Sequence, residues 1–155
     1  MAVEDIFATA SERVVTSAGY AGDVTAEEAW RLIKDNSDAY LIDVRTQAEW
    51  SYVGIPDLSA IGRKPVLAQW LLAPAMGENP DFIDELAAQG VTPDKAAIFM
   101  CRTVNRSPRA ARAMTANGYP RCYYLIDGFE GSLDDHKHRG NRDGWKAAGL
   151  PWVQG

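Results

Sequence analysis

Three short apolar runs, AYLID (residues 39–43), AAIFM (96–100) and CYYLI (122–126), alternate with segments of helical spacing. No other feature constrains the fold as much. Four or five apolar residues in a row make a strand of ordinary length. A strand apolar on both faces has to be covered on both sides, which is the habit of parallel sheets. Strands alternating with helices therefore predict an α/β domain built on a mostly parallel sheet.

The segments between these runs carry their own signals. The spacing predicts a first helix over residues 3–18 that ends at Gly19 and turns Ile6, Phe7, Ala10, Val14 and Val15 to one side. A short extended piece follows at Asp23-Val24. Thr25 with Glu28 three residues later is a capping box, opening a helix through Lys34. After AYLID come one helical turn at TQAEW, a loop at GIPD (54–57), a strand near Pro65–Gln69 and a Pro/Gly-rich loop at APAMGENP. DFIDELAAQ (81–89) reads as a helix stopped by Gly90, and Ser107-Pro108 as an N-cap with proline at the first helical position. Beyond Asp127 the chain reads as loop, with a short turn at GWKAAG.

A length of 155 residues fits one domain. The net charge of −5 argues against a nucleic-acid surface, and no apolar run approaches the ~18 residues of a membrane span. The N-terminus lacks the basic-then-apolar pattern of a secretory leader. The expectation is a soluble, cytoplasmic protein with neither a nucleic-acid nor a membrane partner. Charge is unevenly placed: residues 1–100 carry a net of −9 and residues 101–155 a net of +4. Arg102, Arg106, Arg109 and Arg112 follow directly on Cys101. They read either as a solvated helix face or as a local positive field for an anion.

In a parallel α/β sheet, ligands gather at the carboxyl ends of strands, where a loop leads into the next helix. The junction AAIFM–CRTVNR–SPRAARAMTANG is such a place, and it begins with a cysteine. A thiol reacts as its thiolate, and an ordinary cysteine titrates at about 8.5. Bringing it to about 7 takes only about 2 kcal/mol, less than two hydrogen bonds to a charged sulfur supply. Loop amides, arginines and the start of the next helix could all contribute.

The chain resembles the rhodanese-like sulfurtransferases. The resemblance rests on LIDVRTQAEW (41–50), VGIPDL (53–58), CRTVNRSPRAA (101–111), GYP (118–120), DGFEG (127–131) and RGNRDGWKAAGLPW (139–152), in that order. It implies a rhodanese-like domain over residues 20–155, with residues 1–19 as a helical extension, and a sheet of about five strands flanked by helices. It further implies that Cys101 is the nucleophile. Arg102, Thr103, Val104, Asn105, Arg106 and Ser107 would form the substrate-binding loop around it. The reaction implied moves sulfane sulfur from a small anionic donor such as thiosulfate, through a Cys101 persulfide, to cyanide, a small thiol or a protein thiol. No cofactor and no metal are implied. Two rivals stay open: a weakly active or non-catalytic redox or binding module, and a cysteine phosphatase or arsenate reductase. The latter enzymes place five residues between Cys and Arg, where this chain has four.

Other residues have blander readings. Asp43 and Arg45 read as a buried ion pair holding loops, or as part of the site entrance. Cys122 reads as a small buried hydrophobe, with a resolving thiol as the alternative. His136 and His138 offer too few ligands for a metal, and Glu130 reads as half of a loop ion pair. Trp70 and Trp145 read as core anchors, with pocket lining as the alternative. Val104 stands where the family usually has glycine, and a β-branched side chain is ill suited to a positive φ. Either the loop keeps an ordinary φ at Val104 with a slightly different cradle, or turnover is reduced; on the second reading transfer from thiosulfate is slower, and Val104→Gly is expected to raise the steady-state rate with that donor.

Overall fold

The computed structural model describes residues 2–102 and 108–154. Helix α1 (Val3–Glu12) leads through a 3-10 turn (Thr16–Ala18) to β1 (Gly22–Val24), α2 (Ala26–Asp35) and β2 (Ala39–Asp43). Next come α3 (Gln47–Val53), β3 (Ile55–Pro56), β4 (Val66–Leu67), β5 (Leu71–Leu72) and β6 (Gly77–Glu78). The last elements are α4 (Phe82–Ala88), β7 (Ala96–Met100), α5 (Arg109–Ala116), β8 (Cys122–Leu125), α6 (Gly144–Ala147) and β9 (Trp152–Val153). Among the described residues no helix is long and apolar enough to cross a membrane.

Five strands form one parallel sheet in the order β1-β8-β7-β2-β4, so the α/β class and the five-stranded sheet are as read from the sequence. AAIFM lies at its centre, with Ile98 level with Leu41 on one side and Tyr123 on the other. Alternation along this strand supplies both faces of the sheet. Ala96, Ile98 and Met100 join a core with Ile6, Ala10, Leu32, Ile33 and Trp145 from α1, α2 and α6. Ala97, Phe99 and the following Cys101 join a second core with Phe82, Leu86, Ala111 and Met114 from α4 and α5. Helix α1 comes very close to β1: a Cβ on Gly22 would stand 2.5 Å from the Ala10 carbonyl oxygen, a distance that only glycine allows.

Chain order places the site. From β2 the chain runs outward to β4, then returns to β7 on the other side of β2 and continues to β8. The connections leaving β2 and β7 diverge, which opens a crevice at their carboxyl ends, the position where such sheets bind ligands. Val44 and Cys101 are the first residues beyond those two ends.

Several boundaries differ from the sequence reading. The first helix stops at Glu12, and Val15 is 70% exposed, so the apolar pair at 14–15 does not extend its buried face. TQAEW opens two turns rather than one, because Thr46 and Glu49 form a second capping box. GIPD is not free loop: Ile55 and Pro56 pair antiparallel with Val153 and Trp152 near the other end of the chain. Within the Pro/Gly-rich stretch, Leu71-Leu72 and Gly77-Glu78 form a small hairpin. Pro108 precedes α5 instead of opening it, since its ψ of 43° is not helical. The box at Thr25 and Glu28 forms as read, with both of its hydrogen bonds.

At the end of β2, Arg45 is fully buried against Asp43. Nε donates to Oδ1 at 2.8 Å and Nη2 to Oδ2 at 2.6 Å. Nη2 also donates to the Gly54 carbonyl at 2.7 Å, and the guanidinium lies 4.2 Å from the centre of the Phe129 ring. One side chain thus ties three separate segments. Removing one partner of such a pair strands a buried charge, at a cost of about 3–5 kcal/mol. Asp43→Ala is expected to lose stability on that scale in urea denaturation, and the double change Asp43→Leu with Arg45→Met to recover most of it.

Candidate active site

Cys101 follows the central strand directly and is 7% exposed. The backbone around it is held from two sides. Val44 donates its N–H to the Met100 carbonyl at 3.1 Å, carrying the β2–β7 pairing one step further. From the other side Phe129 donates to the Cys101 carbonyl at 2.8 Å, while Glu130 and Gly131 both donate to the Arg102 carbonyl, at 3.0 and 3.2 Å. The DGFEG segment can come this close because of Gly128. Its φ is +71°, and a Cβ there would stand 2.7 Å from the Arg102 carbonyl carbon and oxygen. The segment is braced in turn by Trp145, whose N–H donates to Gly128 O at 2.9 Å, and by Gly140, which donates to Glu130 O at 2.8 Å.

The arginines after Cys101 do different jobs. Arg102 donates from Nε to Glu130 Oε1 at 3.1 Å, its side chain 42% exposed and that of Glu130 only 12%. Arg112 turns away, donating to the Ala18 carbonyl at 3.0 Å and lying over the Tyr20 ring. Arg109 is exposed. Among the described arginines of this stretch, Arg102 is paired with an acid and Arg112 reaches back to the N-terminal turn. Thr103, Val104, Asn105, Arg106 and Ser107 lie outside the described residues.

The sequence matches the STR4 middle domain family over residues 21–155. The chain belongs to that family. It is 36% identical over 133 residues to an uncharacterized protein, RC0915, of Rickettsia conorii, covering 84% of this chain and 95% of that one. It is 25% identical to rhodanese-like domain-containing protein 4 of Arabidopsis thaliana chloroplasts, covering 86% of this chain but 26% of the plant protein. Among solved structures, Rv0390 from M. tuberculosis superposes with a TM-score of 0.76 at 45% identity, over 88% of this chain and 99% of that one. The polysulfide-sulfur transferase homodimer of Wolinella succinogenes superposes with a TM-score of 0.57 at 22% identity, over 98% and 87%. The rhodanese-like resemblance drawn from the motifs stands, and so does the fold it implied.

In this rhodanese-like chain the remaining residues take mostly structural places. Asp43 shares a sheet face with Leu41 and Arg45 lies over Phe129, whereas Cys101 belongs to the α5 side, so the buried pair is a brace. Trp145 is fully buried and its indole N–H donates to the Pro151 carbonyl at 2.7 Å. Trp70 packs edge-on against Phe82. His136 and His138 sit on an exposed turn around Asp134. Among the described residues no group of three or more His, Cys, Asp or Glu side chains could hold a metal ion. Lys146 was not singled out by the sequence. Its ammonium donates to Val53 O at 3.1 Å and lies 3.8 Å from the Trp152 ring centre, and burial lowers its pKa. It lies within the 139–152 motif, but its contact with Val53, 93 residues away, shows only in the fold.

Cys122 is fully buried, with its thiol donating to the Tyr119 carbonyl at 3.3 Å. It pairs with Ala97, at the opposite end of the central strand from Cys101. Four residues of strand put the two cysteines about 13 Å apart along β7, beyond the reach of a disulfide, so Cys122 is packing and not a resolving thiol. Burial pushes its pKa up to about 11. Above pH ~9 an unfolded thiol sheds its proton while the folded one keeps it, so folding loses stability as pH rises from about 9 to about 11. Denaturant titrations are expected to show about 2–3 kcal/mol of such loss, and Cys122→Ala to remove that part of the slope.

Proposed function

We propose that this chain is a sulfurtransferase that carries sulfane sulfur on Cys101. The observation that carries the reading is the seat of this one thiol. It lies immediately beyond the central strand, at the crevice between diverging connections, with the backbone on both sides of it hydrogen-bonded in place. A nucleophile held by its own main chain meets the donor without further ordering of the backbone. Likeness to rhodanese-like proteins, one of whose fold neighbours is a polysulfide-sulfur transferase, supports the same chemistry.

The reaction is a double displacement. Cys101 thiolate attacks the outer sulfur of the donor, the donor's S–S bond breaks, and its electron pair leaves on sulfite or a thiolate. Cys101 then bears a persulfide. A thiophilic acceptor (cyanide, a small thiol or a protein cysteine) attacks the outer sulfur, and the Cys101 thiolate departs as the leaving group. Both leaving groups are stable anions, so no general acid is needed near the cysteine. In this reading the loop of residues 103–107 serves the outer sulfur, as the family resemblance implies.

Incubation with thiosulfate or an organic persulfide is expected to add one sulfur atom to Cys101 in intact-protein mass spectrometry. Cyanide should remove it, and Cys101→Ala should take up none. Hydrolysis of an aryl phosphate without sulfur loading would favour the phosphatase reading instead. Peroxide oxidation of Cys101 without loading from any donor would favour a redox module.

A further inference from the structure

The chain is uncharged over residues 65–77 and then acidic, and residues 65–94 hold no lysine or arginine. The middle of this stretch is the β5–β6 hairpin, which begins Leu-Leu-Ala-Pro-Ala-Met (71–76). Buried, such a turn would be core. Instead every residue from Leu72 to Glu78 is exposed, with Leu72 at 38% and Met76 at 39%. Helix α4 follows, and Ile83 on its outer side is 36% exposed. An exposed apolar face with a polar border is the usual mark of a docking surface.

The border here is acidic. Glu78, Asp81, Asp84 and Glu85 are exposed, and among the described residues none of them is in an ion pair. The acids at 81, 84 and 85 also suit the start of a helix, a reason that does not reach Glu78. Lys64 and Lys95, the cations that bound the stretch in the chain, precede β4 and β7 and so stand at the opposite end of the parallel sheet. Arg109 is exposed on this side of the sheet, but it opens α5 over β7 and β8. Helix α4 instead reaches the edge strand β4, where the Gln89 amide donates to the Leu67 carbonyl at 3.1 Å. Main-chain hydrogen bonds fix where the hairpin stands. Val44 donates to the Met100 carbonyl, Trp70 to the Val44 carbonyl at 3.2 Å, and Asn79 to the Trp70 carbonyl at 2.8 Å. Trp70 and Asn79 flank the hairpin, so its root lies two strand spacings, about 10 Å, from the residue before Cys101, on the same rim.

We infer that the hairpin of residues 71–78 and the outer side of α4 dock a protein with a basic, partly apolar surface, which exchanges sulfur with Cys101 through a thiol of its own. This rests on the sulfurtransferase reading and names the kind of partner. Charge complementarity selects the class: an acidic face repels an anionic lipid surface and a second copy of itself, and attracts a basic protein. Leu72 and Met76 supply apolar contact, and the carboxylates supply orientation. In the exchange the partner's thiolate attacks the outer sulfur of the Cys101 persulfide. The new S–S bond forms on the partner, and the electron pair of the old one returns to Cys101 as its thiolate. Nothing is oxidised or reduced overall, and the reverse step loads Cys101 from a partner that arrives as a persulfide.

The probe is a synthetic peptide of one cysteine, two leucines and four lysines, offered to protein already loaded with sulfur on Cys101. Glu78→Gln, Asp81→Asn and Asp84→Asn together should slow discharge by this peptide about tenfold at low salt, and added salt should shrink the difference. The same loss of charge on α1, through Glu4→Gln, Asp5→Asn and Glu12→Gln, lies at the opposite edge of the sheet, where α1 packs on β1. It should change the rate less than about twofold. Leu72→Ser with Met76→Ser leaves charge untouched and should slow the peptide about fivefold. Discharge by 2-mercaptoethanol, which needs no docking, should stay within about twofold of native in all three variants. Equal slowing by the two charge variants, or a hairpin variant without effect, would overturn the assignment. If the charge variant fails to fold, the hairpin variant and the salt dependence of the native protein decide. Failure of Cys101 to load at all would instead defeat the sulfurtransferase reading. A serine-for-cysteine form of the peptide then tests the face alone: amide NMR shifts gathered in residues 71–87 keep the docking surface, and shifts elsewhere or none remove it.

Discussion

Parallel pairing is the constraint on which the rest depends. With β1, β8, β7, β2 and β4 all running the same way, their carboxyl ends form a single rim, and every loop that leaves the sheet upward leaves from it. The pairing is made of short strands, and only β2 and β7 are matched over five residues. These two strands also bear the residues that matter at the rim. Because each is apolar on both faces, a slip of register would exchange the two cores, Ile98 with Phe99 and Leu41 with Ile42. The seat of Cys101 is fixed by the same packing that fixes the fold.

On that rim, buried charge is handled by local pairing. Asp43 with Arg45 and Glu130 with Arg102 are each close partners, one fully buried and one at the surface. The first binds three segments together and faces the α2 side. The second begins one residue beyond Cys101 in the chain and is partly exposed. A buried ion pair contributes little net stability but is costly to break, so the first serves geometry more than energy.

Local chemistry was legible in the sequence where the responsible residues are neighbours. The Thr25–Glu28 box, the three apolar strands and the strand–loop–helix junction at Cys101 all follow from residues within one window. What escaped is non-local. Ile55-Pro56 finds its partner at Trp152-Val153, nearly a hundred residues on, and neither dipeptide carries a strand signal of its own. Arg102 and Glu130 are 28 residues apart, so each was read without the other. Clustering along the chain does not by itself say where guanidinium groups go: Arg112 reaches back to Ala18, a contact that no local window shows. Cys122 reads as packing because free cysteine is commonly buried, and it is buried; its distance from Cys101 shows only through strand register.

The three amides of residues 129–131 that grip the carbonyls of Cys101 and Arg102 act as a bracket fastened from outside the loop. The anchor therefore lies far along the chain from what it holds: a change at Gly128, or in the length of DGFEG, would unseat Cys101 without altering any residue next to it.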